Sequence, residues 1–417
     1  MLPVHEGTHL LPRHGDLRRS KSSPIAEGSA VSSFLGLATT MMGAVILTLP
    51  GTLEATGIAP GILIFCFAAW LTYQSFEMIC TSCDATGEWS YESLSSRLFG
   101  AGGVWMVRVL TLVLLFGSLV MYGVIAMDLF GPFLQGTMSR STIGFIYRLI
   151  TIPLCLPETI YELRYANLMV IVCIMYILLA LLIRCFTNDP EFTASIVPNA
   201  NNQFKSESAS IAYVLPIITL SFACQLNVPR AYQEVGDRMV MRNVNFVLVL
   251  TALFTYVLFA VLGYICFHGH PPSDILTGFR PDDTMINAAR ICLGVSMILK
   301  TPMTFQPLRQ AVELMCLGHD RESLPFRTVI TVIFMIAAHF LSITSEDLGV
   351  VMSFIGAIAG NILAITVPGM FLFEISKGYF YETRTYYSRR WSNVMKWTGV
   401  GLSVISLSYL TYATIVE

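Results

Sequence analysis

Position 300 is a lysine inside an apolar run, Ile291 to Leu299 leading into Lys300, Thr301 and Pro302. It follows Arg290 by ten residues, about 15 Å along an ideal helix. An ammonium at that depth of a membrane must meet a polar partner or reach outward along its stem, and a buried one can give up its proton. Three readings stay open: a proton-responsive group, a fixed internal cation, or an interfacial lysine on a run that ends earlier. Ser296 and Thr301 are the hydroxyls placed to line the same cavity.

Two other runs carry residues that interrupt helices. The first reads Gly36-Leu-Ala-Thr-Thr-Met-Met-Gly43 and continues through Ala44, Val45 and Thr48 to Pro50. Proline withholds an N–H and disturbs the preceding turn. The second holds Cys224, Gln225, Asn227 and Pro229 after Ser221-Phe-Ala. Gln225 and Asn227 are costly at mid-depth unless hydrogen-bonded. If both helices unwind, one half-helix N-terminus could take a carboxylate and freed carbonyls an ammonium, so a zwitterion fits the pair. Small residues packed against a neighbouring helix would give the first pattern equally well.

Nothing in the chain has the spacing of an enzyme. No His/Cys set has metal-ligand spacing and no Gly-rich phosphate loop is present, so neither metal nor cofactor is expected. His339 is the one histidine within an apolar run, where a packed or hydrogen-bonded ring is the default.

The elements that must position these residues follow from composition. Of 417 residues, 54% are hydrophobic and 12% charged, against roughly 25% charged in soluble domains. The charges cluster between apolar runs near the ~20 residues that cross a bilayer. Spans are expected at 31–53, 59–83, 104–130, 143–157, 165–185, 208–230, 244–268, 284–316, 326–344, 348–374 and 393–415, giving an all-α polytopic membrane protein. Arg148, in the short fourth span, needs a protein or headgroup partner. With the N-terminus inside, inner segments carry eighteen Lys and Arg and outer ones four, the bias of the positive-inside rule. Residues 1–30 then form a cytoplasmic tail and 31–417 the transmembrane domain. A Glu6–Leu11 acidic dileucine pattern in the tail is short enough to arise by chance. A net charge of −2 argues against nucleic acid as partner. Most of the ten cysteines sit in apolar runs as small hydrophobes. Cys185 and Cys266 both fall near outer helix ends, where one disulfide could form if that side is oxidising.

At these motifs the chain resembles the amino acid/auxin permease family, most of all its sodium-coupled neutral amino acid and vacuolar or lysosomal branches. The resemblance runs from about Ser29 to the last span. It is carried by Gly43 to Pro50, then Trp89-Ser-Tyr91 through Arg97, Phe99 and Gly100. It continues with Phe222-Ala-Cys224-Gln225 through Pro229, Tyr232 and Glu234, with Arg290, Pro302, Phe305, Pro307 and Arg309, and with Ser353-Phe-Ile-Gly356 through Gly360 and Pro368. It implies eleven helices, a cytoplasmic N-terminus and a core of two five-helix inverted repeats, with the first and sixth helices broken around the substrate. It implies amino acid transport by alternating access, in the plasma membrane or a lysosomal or vacuolar membrane. Thr40, Gly43, Ala44 and Val45 match the substrate region, with Cys224 and Gln225 opposite. The family's outer disulfide matches Cys185–Cys266.

One departure bears on coupling. In sodium-coupled members the first helix gives carbonyls and the eighth gives hydroxyls to the ion. Those hydroxyl positions fall here near Ile298 and Lys300; isoleucine offers no oxygen, and a protonated lysine repels sodium. The expectation is therefore a carrier of neutral amino acids coupled to protons or to no ion, with sodium disfavoured. The competing readings are an amino acid sensor read by a cytoplasmic partner, a channel, and a scaffold.

Overall fold

The computed structural model describes residues 29–134, 137–156, 164–187, 207–317, 324–345, 347–377 and 389–416. The tail up to residue 28, with its dileucine pattern, lies outside the described residues. So do most of the two linkers near 186–207 and 374–392. Among the described residues the regular structure is helical throughout: α1 (Ala30–Met41), α2 (Leu49–Thr56), α3 (Ile58–Thr86), α4 (Tyr91–Leu134), α5 (Arg140–Leu154), α6 (Arg164–Thr187) and α7 (Glu207–Ser221). Then come α8 (Val228–Val235), α9 (Arg238–Cys266), α10 (Thr284–Leu317), α11 (Leu324–Thr344), α12 (Leu348–Ile355), α13 (Val367–Ile375) and α14 (Arg389–Val416).

Among the described residues, seven helices are long and apolar enough to cross a bilayer, or eight if the bent pair at α1 and residues 45–56 counts as one span. The chain is thus an integral, multi-pass membrane protein. Of the expected spans, the one at α5 is a 15-residue helix, too short by this measure. α10 is diluted by Lys300, Gln306 and two prolines, and α14 by Ser, Thr and Gly. α4 is two helical segments meeting at a kink at Gly100, whose φ of 67° a residue with a side chain rarely adopts; the span expected from 104 lies in the segment after it.

The two interruptions share one construction. α1 starts on Ser29, whose hydroxyl accepts from the Ser32 N–H at 3.1 Å, and ends at Met41. Gly43 is extended, a single tight turn covers Ala44–Thr48, and α2 resumes with Leu49 and Pro50 as its first residues. α7 ends at Ser221, Cys224 is non-helical, a tight turn covers Gln225–Asn227, and α8 resumes with Val228 and Pro229. Proline suits that place because the first N–H groups of a helix have no partner in it.

Packing fixes the rest. α10 runs along α4 and α6, while α9 covers α2 and α3. α12 and α14 pack on α7, and α13 lies between α3 and α14. Gly356 permits a close approach of two backbones: a Cβ there would stand 2.4 Å from the Pro216 carbonyl oxygen. Between α12 and α13, residues 356–360 and 362–366 widen to π-helical turns, which redirect carbonyls out of the ladder. Tyr91 Oη donates to the Leu363 carbonyl at 3.2 Å and Ser75 Oγ to that of Ala364 at 2.5 Å. Arg148 finds a protein partner, donating to the Leu119 carbonyl at 2.8 Å.

The expected disulfide is not present. Cys185 and Cys266 are free thiols, and the Cys185 thiol donates to the Leu262 carbonyl at 3.2 Å. The expectation rested on their place near the outer ends of α6 and α9 and on the family resemblance. A disulfide needs a defined Sγ–Sγ geometry, which helix-end proximity does not supply.

Candidate functional site

The two helix interruptions meet. Tyr256, on α9, places its hydroxyl 2.8 Å from the Met41 carbonyl and 2.7 Å from the Ser221 carbonyl. These are the last helical residues of α1 and α7, so one side chain holds both broken ends. Beyond the breaks, Asn227 Nδ2 donates to Thr40 Oγ1 at 3.2 Å. Thr40 in turn donates to the Gly36 carbonyl at 3.0 Å, which turns its oxygen toward the second interruption.

Lys300 reaches into this junction from α10. It is 8% exposed, and its Nζ donates to the Thr39 carbonyl at 3.2 Å. The same nitrogen lies 3.6 Å from where a Cβ on Gly43 would stand, which places the ammonium against the first interruption. No ion pair reaches Lys300 among the described residues.

A cavity of about 690 Å³ extends from the junction. Its walls use α4 only as far as Tyr122 and α10 only from Lys300 onward. It therefore runs toward the end of the molecule where α4 begins and α10 finishes. Thr40, Asn227 and Arg230, all exposed, lie along it. The opposite ends of the same helices carry Asp128 and Arg290 and are closed over.

Thr40, Gly43, Val45, Cys224 and Gln225 all line the cavity, and Ala44 opens the tight turn between Gly43 and Val45. Gln225 is 3% exposed and its Nε2 has no partner. A buried amide N–H left unbonded is costly, so this one is a donor awaiting an acceptor.

The three α10 residues separate. Lys300 lines the cavity. Thr301 turns to α5, where its hydroxyl and that of Tyr147 stand 2.5 Å apart. Ser296 lies one turn earlier, with its hydroxyl donating to Cys292 and 3.5 Å from Cys173 on α6. Glu54, Glu77 and Asp128 are engaged elsewhere, with His270, Arg238 and Arg140. Among the described lining residues the one carboxylate is Glu92, and Arg108 holds it at 3.0 Å.

Sequence reasoning missed Tyr256, because a tyrosine within an apolar run looks like any packed aromatic. It also missed Asp274, taken up below, whose burial no loop composition reveals.

The family described as "Transmembrane amino acid transporter protein" matches residues 26–416. A mouse protein named putative sodium-coupled neutral amino acid transporter 11 is 23% identical over 387 residues, covering 91% of this chain and 84% of its own. Vacuolar amino acid transporter 5 of Schizosaccharomyces pombe is 23% identical over 381 residues, covering 85% of this chain and 88% of its own. Among solved structures, a manganese transporter of Eremococcus coleocola is similar over 92% of this chain and 94% of its own, with 13% identity and a TM-score of 0.49. The family and the two sequence relatives carry transport names rather than enzymatic ones, and the chain is a polytopic membrane transporter. A match over nearly the whole length makes this chain a member of the transmembrane amino acid transporter family.

Proposed function

We propose that the protein is a secondary active or facilitative carrier of neutral amino acids that works by alternating access. One observation carries this reading: Lys300 Nζ sits on the Thr39 carbonyl, at the meeting point of two interrupted helices, at the end of a cavity directed to one face. Freed backbone at that point can take the charged ends of an amino acid. The orphan Gln225 Nε2 is suited to its carboxylate. Neutral side chains are favoured because Glu92 is already paired and sits in the wall nearer the mouth.

Lys300 fills the place of an ion. In a sodium carrier, a backbone carbonyl such as that of Thr39 would bind the metal; here it accepts from an ammonium. A tethered cation cannot leave, so coupling by this group requires gain and loss of a proton at Nζ. If it never titrates, transport is uncoupled. Either way sodium is not needed.

The arrangement is read as eleven spans with two inverted repeats of five. The matching placement of Leu49-Pro50 and Val228-Pro229 after each break supports it, as two copies of one unit would have it. The charge bias supports a cytoplasmic N-terminus, with the cavity then directed to the cytoplasm. The membrane is that of the cell surface or of a lysosome or vacuole.

The test is uptake of labelled amino acids into proteoliposomes with sodium and pH varied separately. Uptake that is saturable, indifferent to sodium and either pH-dependent or ion-independent is expected. Strong stimulation by sodium at fixed pH and voltage overturns the lysine reading, and absence of saturable uptake across all twenty amino acids overturns the carrier.

A further inference from the structure

The end of the molecule opposite the cavity is closed by a buried turn. Asp274 begins it, accepting from the Leu276 N–H at 2.9 Å, and the turn covers Ile275–Gly278. Ile275 and Leu276 are 0% and 1% exposed, and the turn packs on α4 and on the tight turn 44–48 that follows the first break. Ile275 also meets α9 at Gly263, beside Pro50. It is a plug seated directly over the α1–α2 interruption.

Arg290 secures this plug from α10. Its guanidinium donates to the carbonyls of Leu276 at 2.7 Å, Phe279 at 2.8 Å and Arg280 at 3.3 Å, and to Asn287 Oδ1 at 2.6 Å. It spends these hydrogen bonds on backbone and amide oxygens, and none on the Asp274 carboxylate. Asp274 itself is 1% exposed, and its Oδ2 has no hydrogen-bond partner. An ionised carboxylate so placed would be a buried charge with one bare oxygen, which is costly.

The other charges around it do not relieve this. Asp128, on α4, repels it, and after burial this is the largest influence on the group. Asp128 is itself held by Arg140 of α5 at 2.5 Å and faces Asp347 ahead of α12. Arg290 and Arg140 both act on Asp274 in the stabilising direction, more weakly than Asp128. Asp283 is paired with Arg184, Asp282 with Arg280, and Glu54 with His270, all toward the rim. Burial and the Asp128 charge together push the Asp274 carboxyl up to about 7.

We propose that Asp274 is a proton-binding site that latches this face shut, with Asp128 as the charge that drives it open. With the proton on Asp274, the turn is neutral and stays seated. When the O–H bond breaks and the proton passes to solvent on this face, two carboxylates repel across the α4 contact. The turn then lifts, and the backbone around Gly43 is uncovered from this side. The latch rests on local geometry alone; its use as the outer proton gate of a carrier rests on the function proposed above. Lys300, one helix-half deeper, would be the second proton site on the same path.

The test is hydrogen–deuterium exchange of the protein in lipid nanodiscs at pH 5.5 and 8.5. Labelling times are scaled to equal intrinsic exchange. Peptides spanning 268–283 in the unaltered protein should exchange at least tenfold faster at pH 8.5, while peptides from α3 should not change. Asp274→Asn should remain protected at both pH values, and Asp128→Asn should lose most of the difference. Equal protection of the loop at both pH values in the unaltered protein overturns the latch. So does Asp274→Asn with the pH difference intact, and the wild-type comparison decides even if a variant fails to fold. Because no transport is measured, the latch can fail while the carrier stands, and the reverse.

Discussion

Lys300 Nζ donates to the carbonyl of Thr39 at 3.2 Å, which joins the midpoint of α10 to the last turn of α1 just before that helix breaks. The bond makes the charge on one side chain a constraint on a helix end that alternating access must move. Substituting Lys300→Met keeps most of the stem and removes the donor. It leaves the Thr39 carbonyl unpaired, at a cost of about 1–3 kcal/mol if water does not enter. Uptake should fall at least tenfold and lose its pH dependence. Lys300→Arg separates the two cation readings, since a guanidinium stays protonated throughout the range. Transport that persists but becomes flat with pH marks a titrating lysine. Transport unchanged in rate and profile marks a fixed cation.

Tyr256 has one proton for two acceptors, the carbonyls of Met41 and Ser221. Tyr256→Phe preserves the ring and its edge contact with Phe222, whose centroids are 5.0 Å apart. What it removes is the link between the two broken ends. Thermal unfolding should report a loss of about 1–3 kcal/mol, the range for a buried group left without its partner. Turnover should fall more than affinity, because the hydroxyl holds backbone and Tyr256 does not itself line the cavity. An unchanged melting temperature and an unchanged rate together would show that water replaces the hydroxyl without loss.

Much of this site can be read from the chain, for identifiable reasons. Pro50 and Pro229 mark where helices resume, since proline's missing N–H is harmless only in a first turn. They mark two places where a helix can break on local grounds, although small residues packed against a neighbour give the first pattern equally well. Lys300 was visible because charge is rare in an apolar run. Its acceptor was not, because a backbone carbonyl has no sequence signature and Thr39 lies 261 residues away. Thr301 and Ser296 carry the right oxygens, yet Thr301 is rotated by about 100° from Lys300 and meets Tyr147, while Ser296 lies where α6 covers α10. Which way a hydroxyl faces depends on neighbouring helices, which residue type alone does not specify.

Stability should depend on pH through Asp274. Its carboxyl is raised in the folded protein, from the model-compound value of 3.8 to about 7. A group raised on folding favours the fold while protonated, so its contribution is complete below about 4 and is lost as pH rises through about 7. The melting temperature in detergent should thus decline between about pH 4 and pH 7 and level off above that. Asp274→Asn keeps an oxygen for the Leu276 N–H and cannot ionise, so its decline should be smaller. If the variant and the parent decline in parallel, another group is responsible.

Gln225 should show opposite effects on stability and binding. Its Nε2 is buried at the second interruption with no acceptor, a state that costs about 1–3 kcal/mol in the empty protein. Gln225→Leu is close in volume and removes the orphan, so the empty variant should melt higher than the parent. A carboxylate oxygen in the cavity would be the missing acceptor, and a charge-assisted bond of that kind contributes about 1.5–3 kcal/mol. The variant should therefore bind its amino acid roughly tenfold to a hundredfold more weakly. Thermal shift with and without substrate measures both effects in one titration. A parent stabilised by substrate beside a variant more stable alone but indifferent to substrate places the carboxylate at Gln225. A variant shifted by substrate as much as the parent places it elsewhere along the breaks.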